Sequence, residues 1–360
     1  MQYRSLRTLH LWLSLGAALP LLILSLTGVF LVYGHELQEV ISPEYWFAEA
    51  PSPDAEPLPY SVLIERIAEQ KPGVRVWSFG LGRETDRAWT LWLAQGAGII
   101  NINPYTGDVL DLYKNSDSPY GFVNALHRRW LSSDKAVTPW IRHFISTVSL
   151  IVIVQMLIGH ALWLVPPKRL ARLKVDFKRQ PRAVVMRLHQ LTGVLTAVIL
   201  ITVAFTGMSL YWHDPIEVVV ETVTGQTIRH PVEPSMAGVA DIQDIDAAVA
   251  VGQAVFPDKK LLHFRAPQPG KPLSMGFGGD DKIRIDQVWV GGNPPRVLAV
   301  ERADDLDAAN WFWRARYWIH TGDFAGTVVR ALWLIVALLP TAYVISGLWL
   351  YLARRKARRG

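Results

Sequence analysis

The sequence predicts a membrane protein: four transmembrane α-helices in a bundle, with two α+β modules on one side and a parallel internal duplication relating its halves. Three observations carry this. Four apolar runs, 9–33, 141–165, 188–212 and 326–352, are long enough to cross a bilayer core, and none holds an acidic residue. The chain of 360 residues is 50% hydrophobic, with 15 Trp and a mean hydropathy of +0.18. That is too apolar for an ordinary soluble domain, yet 19% charged residues are too many for a chain wholly in lipid. Finally, the text repeats. Leu9-His10 leads to Leu26-Thr27-Gly28 and His35, and Leu188-His189 leads to Phe205-Thr206-Gly207 and His213, with 17 residues from each of His10 and His189 to its Thr.

In order, residues 9–33 form the first span. It is read as retained, because the run exceeds a signal-peptide core and no small-residue cleavage site follows. Residues 36–125 form the first outer module, 141–165 the second span, 166–187 a basic loop and 188–212 the third span. Residues 214–318 form the second module, 326–352 the fourth span and 353–360 a basic tail. Sidedness follows from Lys/Arg bias. Fifteen of the 37 basic residues lie in three short stretches: Arg4 and Arg7, eight between spans two and three, and five in the tail. They are accompanied by one of the 31 acids, Asp176. Both termini are therefore expected on the cytoplasmic side and both modules outside. The net charge of +6 divides into a basic inner and an acidic outer face, so its partner is membrane lipid rather than nucleic acid. The absence of Cys excludes disulfides, thiolate metal sites, iron–sulfur clusters and covalent haem attachment.

The outer modules share a pattern. Helical periodicity at 60–70 is followed by alternating strands near 74–79, 88–93 and 98–101, then Asn103-Pro104-Tyr105-Thr106-Gly107-Asp108-Val109-Leu110, a turn into a strand. The second module has a helix at 242–255, strands near 261–265, 274–277 and 285–290, and the turn Gly291-Gly292-Asn293-Pro294-Pro295-Arg296-Val297-Leu298. Val109 and Val297 are offset by 188, as are Arg142 and Arg330, and Gly159 and Gly347; spans one and three align at 179. Each repeat starts and ends inside, which makes the repeat parallel and places its pseudo-two-fold axis along the membrane normal.

Eight of the ten histidines lie at or near span ends. An imidazole inside a bilayer usually lines a site. His10, His160 and His189 form an inner tier; His35, His127, His143, His213 and His320 form an outer one. His10 and His35, 25 residues apart, would share a face of one continuous helix. Two axial imidazoles facing each other at one depth suit haem b, and two tiers suit two haems in series. The same histidines could instead be structural or serve a metal or proton path, although spans without acids speak against a carboxylate relay. Arg142 and Arg330 suit haem propionates, or else anchor the outer ends of their spans. The Gly at a similar level of every span (Gly28, Gly159, Gly207 and Gly347) admits either a macrocycle or a neighbouring helix.

Leu9-His10-Leu11-Trp12 and Leu188-His189-Gln190-Leu191, the Thr-Gly marks, the 103–110 turn and the histidines before spans two and four resemble, in this order and duplicated, the PepSY-associated transmembrane family over nearly the full length. Within it the chain is similar to inner-membrane ferric-siderophore reductases of the ferrioxamine type. The resemblance implies PepSY-like outer modules, two haems, and His10, His127, His189 and His320 as the shared haem-iron ligands, their pairing open. It implies a haem-dependent electron-transfer oxidoreductase that reduces a ferric siderophore in the periplasm and so releases iron for uptake. No Gly-rich nucleotide fingerprint is present, so electrons would come from a quinol or a separate donor. The rival reading is a non-enzymatic membrane protein that binds or restrains a peptidase or another envelope partner. A transporter fits less well, because the repeats are parallel and only four spans are present.

Overall fold

The computed structural model describes residues 3–52 and 54–357; Arg358 and Arg359 of the expected tail lie outside them. In chain order, α1 (Tyr3–Val32) and α2 (Gly34–Ile41) precede α3 (Tyr60–Gln70) and the strands β1 (Val76–Gly80), β2 (Trp89–Leu93), β3 (Ile99–Ile102) and β4 (Val109–Tyr113). Helices α4 (Pro119–Arg129) and α5 (Thr138–Leu164) follow. The second half has the same order: α6 (Pro181–Ser209), α7 (His213–Thr224), α8 (Ile245–Gln253), β5 (Lys260–Arg265), β6 (Leu273–Gly278), β7 (Asp286–Gly291), β8 (Arg296–Glu301), α9 (Ala308–Thr321) and α10 (Gly326–Lys356). The chain divides into a helical unit (1–33, 123–225 and 312–360) and a sheet unit (34–122 and 226–311).

Among the described residues four helices, α1, α5, α6 and α10, are long and apolar enough to cross a membrane. Helix α1 packs on α5 and α10, and α6 on the same two, so α1 stands opposite α6 and α5 opposite α10. Leu19, Leu195, Val198 and Val328 are exposed, as side chains that face lipid must be. Buried polar groups cross-link the interior. Thr341 Oγ1 donates to Ser25 Oγ at 2.9 Å, and Gln155 Nε2 donates to the His10 carbonyl at 2.9 Å and to Ser14 Oγ at 2.7 Å. Helices α1 and α6 begin at Tyr3 and Pro181, earlier than the apolar runs, because a helix needs only its backbone ladder and not a hydrophobic face. Pro181 loses nothing in a first turn, where its missing N–H has no intrahelical partner.

One expectation is corrected. His10 and His35 do not share one helix: α1 ends at Val32, a turn intervenes at Tyr33, and His35 lies on α2 in the sheet unit. Likewise α6 ends at Ser209 and His213 opens α7.

In the sheet unit the two sets of four strands form one antiparallel sheet, ordered β4-β3-β2-β1-β5-β6-β7-β8. The join is β1 against β5, with Ser78 opposite Arg265, Phe79 opposite Phe264 and Gly80 opposite His263. Each meander alone would leave that strand as a bare edge; pairing them removes two edges at once. One face buries Phe79, Leu91, Ile100, Phe264, Met275, Phe277 and Val288, together with Leu63 and Ile67 of α3 and Ala248 and Val249 of α8. Asp244 caps α8 by accepting from Ala247 N at 3.0 Å. Asp246 of that helix accepts from Tyr60 N at 2.7 Å and Ser61 N at 3.3 Å, so it caps α3. Burial, then the Asp246 charge, pushes the Tyr60 phenol up to about 12.

Candidate functional site

The helical unit gathers histidines at two levels. At the upper level are His127, from the 11-residue α4, and His320, from the 14-residue α9, each on the short helix that precedes a span. Their ring centroids lie 6.3 Å apart with planes at 54°. His127 Nδ1 lies 2.8 Å from Thr27 Oγ1 of α1. His320 Nδ1 lies 2.9 Å from the Val203 carbonyl oxygen of α6 and 3.5 Å from Thr206 Oγ1. The glycines of the two Thr-Gly marks admit these rings: a Cβ on Gly207 would stand 2.6 Å from His320 Cε1, and one on Gly28 would stand 3.8 Å from His127 Cε1. Burial, then the neighbouring charges of His320 and Arg128, pushes His127 down to about 3, and burial also lowers His320. Both imidazoles are therefore neutral at pH 7, the form in which a ring nitrogen can ligate a metal.

At the lower level His10, His160 and His189 line one cavity of about 1160 Å³. The 17 residues from His10 to Thr27 put the two levels about 25 Å apart along α1. His189 Nδ1 lies 2.8 Å from Ser346 Oγ, and His160 Nδ1 lies 3.2 Å from the Met156 carbonyl oxygen. His10 Nδ1 is buried without a hydrogen-bond partner, with its ring against Gly159. At the 188 offset the place of Ser346 is taken by Ile158, which has no hydroxyl to give. The cavity is also lined by Arg4, Arg7, Arg172, Arg182, Arg354 and Arg355 and by no acidic side chain; Arg172 Nη1 is buried without a partner.

The family model for the PepSY-associated TM region matches residues 7–354. The chain belongs to that family. Comparison with curated proteins finds no match.

In this PepSY-associated TM protein the structure brings His127 to His320, and His10, His160 and His189 to one cavity. The remaining outer-tier histidines are exposed and held elsewhere. The His35 ring lies 4.1 Å from that of Tyr120 in the sheet unit. His143 Nδ1 accepts from Trp212 Nε1 at 2.9 Å, and the His213 ring lies 6.2 Å from Trp313. Arg142 stacks over Tyr211 at 4.1 Å; Arg330 Nε donates to the Val32 carbonyl at 2.9 Å. The cavity arginines were read from the sequence as topology alone, because no local pattern distinguishes a cation that lines a cavity from one that meets lipid. Arg316 was missed as well. It lies one helical turn before His320, and its Nε is buried without a partner. Among the described residues no group of three His, Asp or Glu side chains could hold a free metal ion.

Proposed function

We propose that this chain is a haem-b electron-transfer protein of the bacterial inner membrane, with haem at two levels, that reduces a ferric siderophore on the periplasmic side. The observation that carries the reading is the His127/His320 pair: two neutral rings from the two halves of the chain, with centroids 6.3 Å apart. Two metal–imidazole bonds of about 2 Å each, plus the radii of two rings, span about that distance. The Nδ1 of both rings is hydrogen-bonded, the outer-shell arrangement that orients metal-ligating histidines. At the lower level the fit rests on His10 Nδ1 and Arg172 Nη1, a buried acceptor or donor and a buried donor left without partners, and on a cavity rim of arginines and no acids. A macrocycle with two carboxylates would meet that rim through bidentate guanidinium contacts.

In this reading His127 and His320 hold the outer group, and His189 with His10 or His160 the inner one. Arg316 and the cavity arginines neutralise carboxylates, and the apolar spans exclude water. A haem held by two imidazoles supplies a one-electron couple. One electron per iron, from a quinol or a separate donor at the inner side, converts Fe(III) to Fe(II); the lower charge weakens its attraction to oxygen ligands and releases it. The shared element order of the two halves, the opposed helix pairs and the two Thr-Gly-to-His arrangements support one unit used twice, with PepSY-like modules fused in the sheet. The basic termini and loop support a cytoplasmic side there and a periplasmic sheet unit.

The test is an absorption spectrum of the purified full-length protein, oxidised and dithionite-reduced. Two haem components are expected. His127→Ala with His320→Ala should remove one and His10→Ala with His189→Ala the other, and addition of a ferric siderophore should reoxidise the reduced protein. A preparation without a Soret band would sink the proposal. The strand β8, at the end of the sheet with Val297 and Val300 exposed, favours the second reading, in which an envelope protein adds a strand there. That reading expects partner binding that survives loss of all four histidines.

A further inference from the structure

The proton positions at the upper level follow from the hydrogen-bond partners. Thr27 Oγ1 lies 2.5 Å from the Ile23 carbonyl oxygen and 3.2 Å from that of Leu24. A hydroxyl has one hydrogen, and a carbonyl can only accept. The Thr27 hydrogen is thus committed to the preceding turn of its own helix, and its lone pairs are what His127 Nδ1 meets at 2.8 Å. On the other side His320 Nδ1 faces the Val203 carbonyl at 2.9 Å. Neither contact forms unless Nδ1 carries the proton. A neutral imidazole has one N–H, so Nε2 of both rings is left with its lone pair.

We propose that Thr27 is a positioning residue, which holds His127 in the Nδ1–H form as the Val203 carbonyl holds His320, so that both rings present a bare Nε2. The inference rests on reading these two histidines as the outer ligands. The two halves are not equal in this respect. The Thr27 hydroxyl is the nearest acceptor to His127, whereas Thr206, 3.5 Å from His320, stands behind a backbone carbonyl. A substitution can remove the nearer of the two acceptors at His127, leaving the Leu24 carbonyl, but cannot remove the Val203 carbonyl that is the nearer one at His320. A threonine present only to pack helices would show no such difference.

The test has two arms on the full-length protein in lipid nanodiscs. In haem-free protein labelled with ¹⁵N-histidine, side-chain nitrogen shifts should show protonated Nδ1 and bare Nε2 at His127 and His320, each assigned by its Ala variant. Thr27→Val removes the nearer acceptor and leaves the Leu24 carbonyl, so it should weaken the Nδ1–H form at His127 and bring up a fraction of the Nε2–H form; Thr27→Ser should restore the wild-type form, and Thr206→Val should leave His320 unchanged. In haem-loaded protein Thr27→Val should lower haem affinity by roughly 10–100-fold. It should also raise the midpoint potential of one centre, since an imidazole that loses its Nδ1–H bond donates less to Fe(III), and Thr206→Val should do much less. The proposal is overturned if wild-type His127 is in the Nε2–H form, or if Thr27→Val and Thr206→Val act alike. If the tautomers are as stated and the protein takes up no haem, the electron-transfer reading fails while this assignment stands.

Discussion

Gly28 of α1 and Gly207 of α6 each follow a Thr and face a histidine ring, yet alanine would meet different surroundings at each. At Gly207 the new Cβ would stand 2.6 Å from His320 Cε1 and force the ring to move; at Gly28 the gap is 3.8 Å, an ordinary contact. Gly207→Ala is therefore expected to remove or shift one haem component in the absorption spectrum, and Gly28→Ala to leave the spectrum unchanged. The lower level has its own asymmetry, since Ser346 holds His189 where Ile158 leaves His10 Nδ1 without a partner. Ser346→Ala should weaken retention of the proposed inner haem by roughly 10–100-fold in a haem-transfer titration. Ile158→Ser, which supplies a hydroxyl in the corresponding place, should strengthen it. An Ile158→Ser protein that lost haem would show that the bare nitrogen is itself a ligand atom.

Among the elements, α3 and α8 lean on each other through Asp246. Its carboxylate takes the two N–H groups that open α3, so Asp246→Ala should destabilise the sheet unit by about 1 kcal/mol, the usual cost of a lost cap, read as a lowered urea midpoint of the full-length protein. Much at this scale was legible in the sequence. The apolar runs locate the four long helices, and the periodicity at 60–70 matches α3 residue for residue. Alternation and turn residues locate the strands, with the turn at Asn103 made by its Oδ1 accepting from Tyr105 N at 2.9 Å. Helix starts at Tyr3 and Pro181 were not legible, because polar residues continue a helix as readily as they end it. The join of β1 to β5 was not legible either: Ser78 and Arg265 carry no local sign that they face each other. At the candidate site the Thr-Gly marks were visible as a repeat. Their use as seats for histidines 100 and 114 residues away depends on tertiary packing that periodicity does not encode.

For the whole molecule the first question is sidedness, and the chain is well suited to answer it, because it has no Cys to mask. Ser116→Cys in the sheet unit is expected to react with a membrane-impermeant maleimide in cells whose outer membrane has been made permeable. Lys174→Cys in the basic segment should react only after lysis; the opposite labelling would reverse the proposed orientation. The seam between β1 and β5 also has a consequence in time. Ser78 must wait for Arg265, 187 residues later in the chain. At about 5–20 residues per second of synthesis, that wait is roughly 10–40 s. During it the first meander is complete but for one unpaired edge, and two further spans must be inserted before the strand that closes it emerges. The growing chain thus spends much of its synthesis with an adhesive margin exposed, so a ribosome stalled after the third span would leave a half-sheet ready to pair with another half-sheet.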